Sequence, residues 1–163
     1  MKKYRLTDDK IIVGCRTLYR LQALRDFGDV KEGEFGGWIE SEKNLSHEGS
    51  AQVSGDVWVS GDAWVSGDAC VYGDACVSGD ARVYGNADIK TTGDICSMSG
   101  FGSEHRTTTA FRTKNGDVHV SCGCFQGNLE AFCQRVESTH GNNLYGREYK
   151  KMIELIKIHF EIE

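Results

Sequence analysis

The 163-residue chain has no proline at all, while 20 of its residues are glycine. Without proline, turns must be made by glycine and by side chains that hydrogen-bond their own backbone, chiefly Asp, Asn and Ser. Long apolar runs are also missing: nothing approaches the roughly 18 residues a membrane helix needs, and no basic-then-apolar leader opens the chain. A membrane span and a secretion signal are therefore not expected, and a cytoplasmic location is. A basic excess is lacking as well. Nineteen Lys and Arg against 24 Asp and Glu give a net charge of −5, which disfavours a dedicated duplex-DNA binder. Seven cysteines without a leader point to a reducing compartment and free thiols, and an odd number cannot complete a disulfide framework.

What is present is unevenly distributed. Residues 1–44 carry nine basic and eight acidic side chains, residues 45–98 two and eight, and residues 99–163 eight of each. The whole imbalance sits in the central block, and half of the glycine falls between residues 49 and 102 at a regular spacing. From Ala51 the chain reads AQVSGD, VWVSGD, AWVSGD, ACVYGD, ACVSGD and ARVYGN, then the degraded hexads ADIKTT and GDICSM. Two weaker units precede these, beginning at Ile39 and Leu45.

A period of six cannot be an amphipathic helix, because 3.6 residues per turn would spread the valines around every face. Within each unit a small residue and the Val two places later point the same way, as on a strand, and Gly-Asp or Gly-Asn then turns the chain. Short strand, corner, short strand describes a parallel β-helix. The block resembles the hexapeptide repeat of left-handed β-helix proteins, in which three hexads make one triangular coil of 18 residues. That resemblance implies about three coils, with Val53, Val59, Val65, Val71, Val77, Val83, Ile89 and Ile95 filling the interior. So short a solenoid cannot bury its own ends and needs caps. Asp56, Asp62, Asp68, Asp74 and Asp80 form a ladder that reads as corner capping, because the Gly-Gly-x-Gly-x-Asp form of calcium-binding β-rolls is lacking.

A period of 18 stacks Trp58 over Cys76 and Trp64 over Arg82 on the outside. Indoles there are poorly explained in a monomer. Partial cover by a cap is one reading; the other, slightly favoured, makes Trp58, Trp64, Tyr72, Arg82 and Tyr84 the surface of self-association, a homotrimer by family resemblance.

The flanks read differently. Leu18, Leu21, Leu24 and Arg25 fit a helix face as well as a strand. The run from Tyr4-Arg5-Leu6 through Gly36-Gly37-Trp38-Ile39 to Asn44-Leu45-Ser46 is similar to the start of a phage and bacterial transferase-like group of β-helix proteins, and this implies cap strands. After the repeat, Thr107–Thr113 and Val118–Cys124 predict a hairpin around Asn115-Gly116. Asn128 is a good N-cap for a helix carrying Leu129, Phe132, Cys133 and Val136, which Gly141 ends. A second helix places Tyr145, Tyr149, Met152, Ile153, Ile156 and Phe160 on one face. Gly123-Cys124-Phe125-Gln126-Gly127 and His140-Gly141 make this part similar to a small phage-type ββαα tail. The expected fold is mainly β: an N-terminal β cap (1–38), a left-handed β-helix (39–98) and a C-terminal α+β domain of one hairpin and two helices (99–163).

Three chemistries deserve weighing. Hexapeptide acyltransferases use a His general base, and here only His47 lies in the repeat, with His105 after it. A zinc site of the carbonic anhydrase kind needs three His ligands. Cys122 and Cys124 share a strand face, but further ligands would have to come from His105, His140 or Cys133, and no second Cys pair exists. Cys124 also lies four residues before a helix N-cap, whose dipole favours a thiolate, but a buried, inert cysteine is the expected outcome. The third candidate is an anion cradle in the segment joining repeat and tail, with Ser103, His105, Thr107 and Thr108 as donors, Arg106 as the fork for a phosphate or carboxylate, and Phe101 or Tyr84 to stack on a base. No metal and no cofactor are expected. The leading expectation is a non-enzymatic, homo-oligomeric phage-type binding protein in the host cytoplasm. It would act as a host-defence antagonist that captures a partner protein or sequesters an anionic, nucleotide-like ligand. A small acyltransferase and a structural spacer or virion-associated trimer are the alternatives.

Overall fold

Alternating side chains over Tyr4–Val13 and Arg16–Ala23 make two antiparallel strands, β1 and β2, turned at Gly14-Cys15, where Gly14 has φ +61°. Leu18, Leu21 and Ala23 are buried from β2, so this stretch is a strand and not a helix. The computed structural model describes all 163 residues. They divide into two units, Met1–Thr92 and Gly93–Glu163, and the fold is mainly β with two helices near the C-terminus.

In the first unit, β3 (Phe35–Ile39) pairs antiparallel with β2. Seven two-residue strands follow, one per hexad: β4 (Gln52–Val53), β5 (Trp58–Val59), β6 (Trp64–Val65), β7 (Cys70–Val71), β8 (Cys76–Val77), β9 (Arg82–Val83) and β10 (Asp88–Ile89). Their pairings are all parallel. β4, β7 and β10 form one ladder, β5 and β8 continue from β3, and β6 pairs with β9, so the chain returns to the same ladder every 18 residues. The second residue of each strand points inward and is at most 3% exposed. A two-residue strand offers one inward side chain worth about 1.5–3 kcal/mol of burial, so each is held by its neighbours above and below. The two leading units depart from the period. Trp38 pairs with Trp58 and Leu45 with Val65, an offset of 20, so two extra residues are accommodated before the repeat settles.

The corner glycines from Gly49 to Gly85 have φ between +63° and +73°, a region disfavoured for other residues. Gly67 and Gly79 separate conformation from packing. A Cβ at Gly67 would lie 2.7 Å from the backbone nitrogen of Gly85, whereas one at Gly79 would meet nothing within 4 Å. Gly79→Ala is expected to cost about 1–2 kcal/mol from the left-handed backbone alone. Gly67→Ala should cost measurably more in urea denaturation, and equal losses would mean that the stacked corner yields freely.

The second unit corrects several expectations. Ile95 is buried but not in the repeat: it opens β11 (Ile95–Phe101) and pairs with Phe111 on β12 (Arg106–Arg112). The segment between repeat and tail is thus no linker but a hairpin, and the division of the chain falls at 92/93 rather than 98/99. β13 (Val118–Cys122) and β14 (Phe125–Asn128) complete a four-stranded antiparallel sheet in chain order, where one hairpin was expected. α1 (Leu129–His140) is capped by the Asn128 side chain, which accepts from the Ala131 N–H at 2.8 Å, and it ends at Gly141. α2 (Leu144–His159) is capped in the same way by Asn143. The sheet packs Ala110, Val118 and Val120 against Phe132 and Val136 of α1 and Met152, Ile153 and Ile156 of α2. No helix is long and apolar enough to cross a membrane.

Candidate functional site

The second unit contains an open cleft of about 200 Å³ whose walls come from five elements. Arg106 stands at the start of β12, with Glu104 just before it. Cys122, Cys124 and Phe125 belong to the β13–β14 hairpin. Phe132, Arg135, Val136, Thr139 and His140 line it from α1, and Tyr149 from α2. The spacing on α1 explains this face: residues 132, 136 and 140 fall four apart and form one stripe, with 135 and 139 beside it.

The hairpin turn makes room for the cation. Two residues, Gly123 and Cys124, join β13 to β14, and Gly123 has φ +60°, as the primed hairpin turns require at that position. A Cβ on Gly123 would strike the Arg106 guanidinium, so glycine there serves both the turn and the arginine lying across it. Arg106 also approaches Glu104 at 3.9 Å, but both side chains are more than half exposed. Such a pair is weak and readily exchanged.

The floor is aromatic. The rings of Phe125 and Phe132 lie 5.2 Å apart, Tyr149 meets Phe132 edge-on at 5.9 Å, and His140 stacks on Tyr149 at 5.5 Å. Burial, followed by its contact with Cys122, pushes the Tyr149 phenol up to about 12, so it remains a protonated donor. Its hydroxyl lies 3.8 Å from the Cys122 sulfur and packs against Gly102, where any side chain would collide with it. The buried Thr108 hydroxyl donates to the same sulfur at 3.2 Å. Cys122 is thus held among polar partners, whereas Cys124 is exposed at the rim.

Of the residues expected to form an anion cradle, only Arg106 lines the cleft. Thr108 lies behind it, bonded to Cys122. Thr107 is within 2.7 Å of the Ser99 hydroxyl, on the other face of the strand. Ser103 and His105 are in the exposed β11–β12 turn, where His105 has φ +50° and its Nδ1 lies 3.1 Å from the Gly100 carbonyl. Arg135, Thr139, His140 and Tyr149 come from helices that the sequence revealed, but their convergence on Arg106 depends on how those helices dock.

The remaining candidates lie in the first unit. His47 stacks on Tyr4 at 4.2 Å, accepts from the Lys3 N–H at 3.4 Å and approaches Glu42 at 3.6 Å, the contacts of a packing residue. Trp58 pairs with Cys76 and Trp64 with Arg82, whose guanidinium lies 5.9 Å over the indole. Both indoles are 37% exposed, and Tyr72 and Tyr84 are half-buried. All seven cysteines are free thiols, and no three His, Cys, Asp or Glu side chains converge as metal ligands.

The cleft can therefore offer two guanidinium groups, one imidazole and hydroxyl donors above an aromatic floor, the chemistry of binding a small anion attached to a flat ring. Comparison with protein-family models finds no match for the chain, and comparison with curated proteins finds no relative.

Proposed function

We propose that this chain is a non-enzymatic binding protein of phage type that captures a small anionic, nucleotide-like ligand in the cleft of its second unit. The observation that carries this reading is that Arg106 and Arg135 line one cleft together with Phe125, Phe132 and Tyr149. Oriented cations at the rim recognise charge, and an apolar floor accepts a ring that water would otherwise solvate. In the same reading the first unit is a short left-handed parallel β-helix of the hexapeptide-repeat kind, supported by the 18-residue return of the ladders from Gln52 onward and by inward-facing valines. The half-exposed Trp58 and Trp64, with Tyr72, Arg82 and Tyr84, would meet a second and third copy there. A chain that removes a nucleotide signal from the host cytoplasm would need affinity and abundance but no turnover, which suits an antagonist of host defence.

Mixing the pure protein with a panel of linear and cyclic nucleotides should raise its melting temperature with at least one of them, since a ligand of the folded state stabilises it by mass action. The shift should vanish in Arg106→Ala, a change at an exposed residue that leaves the core intact. Bound ligand should also slow alkylation of Cys124 but not of Cys15, the other exposed thiol. No shift with any nucleotide would remove the reading. Light scattering from a lone subunit, with both indoles open to quencher, would remove its oligomeric part.

A further inference from the structure

We infer that the cleft selects the terminal phosphomonoester of its ligand, a dianion with three free oxygens, over a cyclic phosphodiester. The inference rests on the proposed anion-binding role and names the chemical class that the site takes. Arg106 and Arg135 both line the cleft but come from different elements, a strand start and the middle of a helix. One fork is enough for a planar carboxylate. Two forks from separate walls suit a tetrahedral group with at least three acceptor oxygens. A cyclic diester offers only two free oxygens and a single negative charge, and would leave one guanidinium partly unmet.

Charge points the same way. The ionic residues of the lining are Arg106, Arg135 and Glu104, a net of one positive charge. The Glu104 carboxylate holds Arg106 only at 3.9 Å and from an exposed position. A dianion displaces so weak a partner, whereas a monoanion gains little over it. Size sets the rest. About 200 Å³ is below the range of roughly 300–1,000 Å³ that encloses a drug-sized ligand. The cleft therefore takes one phosphate and one ring against Phe125, and a dinucleotide would have to leave its second half outside.

Titration calorimetry with the full-length protein separates the possibilities, using adenosine 5′-monophosphate, 3′,5′-cyclic adenosine monophosphate, adenosine and inorganic phosphate as probes. The monophosphate should bind at least about tenfold more tightly than the cyclic ester or the nucleoside, the effect of one additional charge-assisted hydrogen bond. Inorganic phosphate competing with it would support the same end-group recognition. Arg135→Gln, at an exposed helix position, should remove that advantage and leave the cyclic ester nearly unaffected, and Arg135→Lys should restore only part of it. Equal binding of the monophosphate and the cyclic ester, or a monophosphate affinity indifferent to Arg135, would overturn this inference while leaving the anion-binding role standing. No binding of any probe, with Cys124 alkylated at the same rate throughout, would overturn both.

Discussion

Asn44→Ala is expected to destabilise the first unit by about 3–5 kcal/mol, although it removes only a few atoms from a residue with no exposed surface. The Asn44 amide donates to the carbonyls of Gly61 at 3.0 Å and Ala63 at 2.9 Å, and its carbonyl oxygen accepts from the Ser41 N–H at 2.9 Å. All three partners are backbone groups at the corner where the irregular leading segment meets the repeat. The lost bonds strand the buried Ala63 carbonyl and leave the half-buried Gly61 carbonyl and Ser41 N–H poorly hydrated, at roughly 1–3 kcal/mol for each group that nothing replaces. Asn44→Asp keeps the shape but aims a carboxylate at two carbonyls, and should be no better at neutral pH. Urea denaturation monitored by tryptophan fluorescence measures the loss directly. A cost below about 1 kcal/mol would show that the corner reorganises or hydrates without penalty.

The second large effect depends on pH. Lys3 has no exposed surface; its ammonium donates to the Ala51 carbonyl at 2.7 Å and sits 4.7 Å over the Phe27 ring. Burial, with help from the charge of Arg25, lowers its pKa from 10.5 to about 8. Between those two values the unfolded chain holds a proton that the folded chain has released, so stability rises with pH across the window from about 8 to 10.5. Below it the folded protein bears the full cost of a buried charge. A displacement of this size corresponds to about 3 kcal/mol. Burial moves Tyr4 and the thiols of Cys76 and Cys96 upward, which opposes the trend at the alkaline end. Those groups are common to wild type and Lys3→Met, so the difference between the two isolates the lysine. That difference should move in favour of the wild type by about 3 kcal/mol from pH 7.5 to 10.5. A difference that stays flat would mean that water reaches the amine.

Much of the first unit was legible because its code is local. Each hexad carries its own inward Val, small corner residue and Gly-Asp turn, and these features need no distant partner to be recognised. The leading segment was misaligned by two residues because it has no Gly-Asp turn to mark its corners, and the pairing of Trp38 with Trp58 overrides the count. The buried Lys3 and Asn44 gave no signal either, since the carbonyls their side chains donate to are more than fifteen residues away in sequence. In the second unit both helices were plain from their apolar faces and Asn caps. β11 was hidden because the fading repeat runs directly into it, and β14 because four residues between a turn and a helix show no period.

By itself, then, the sequence determined the repeat, its inward valines and outward indoles, and both helices. Tertiary structure alone decided that residues 95–101 leave the repeat for an antiparallel sheet. It also decided that Arg106 shares a cleft with Arg135, His140 and Tyr149 rather than with Ser103 and Thr107. The physical reason is that a strand offers two faces of equal local merit, and which one becomes a site depends on the element that packs against it.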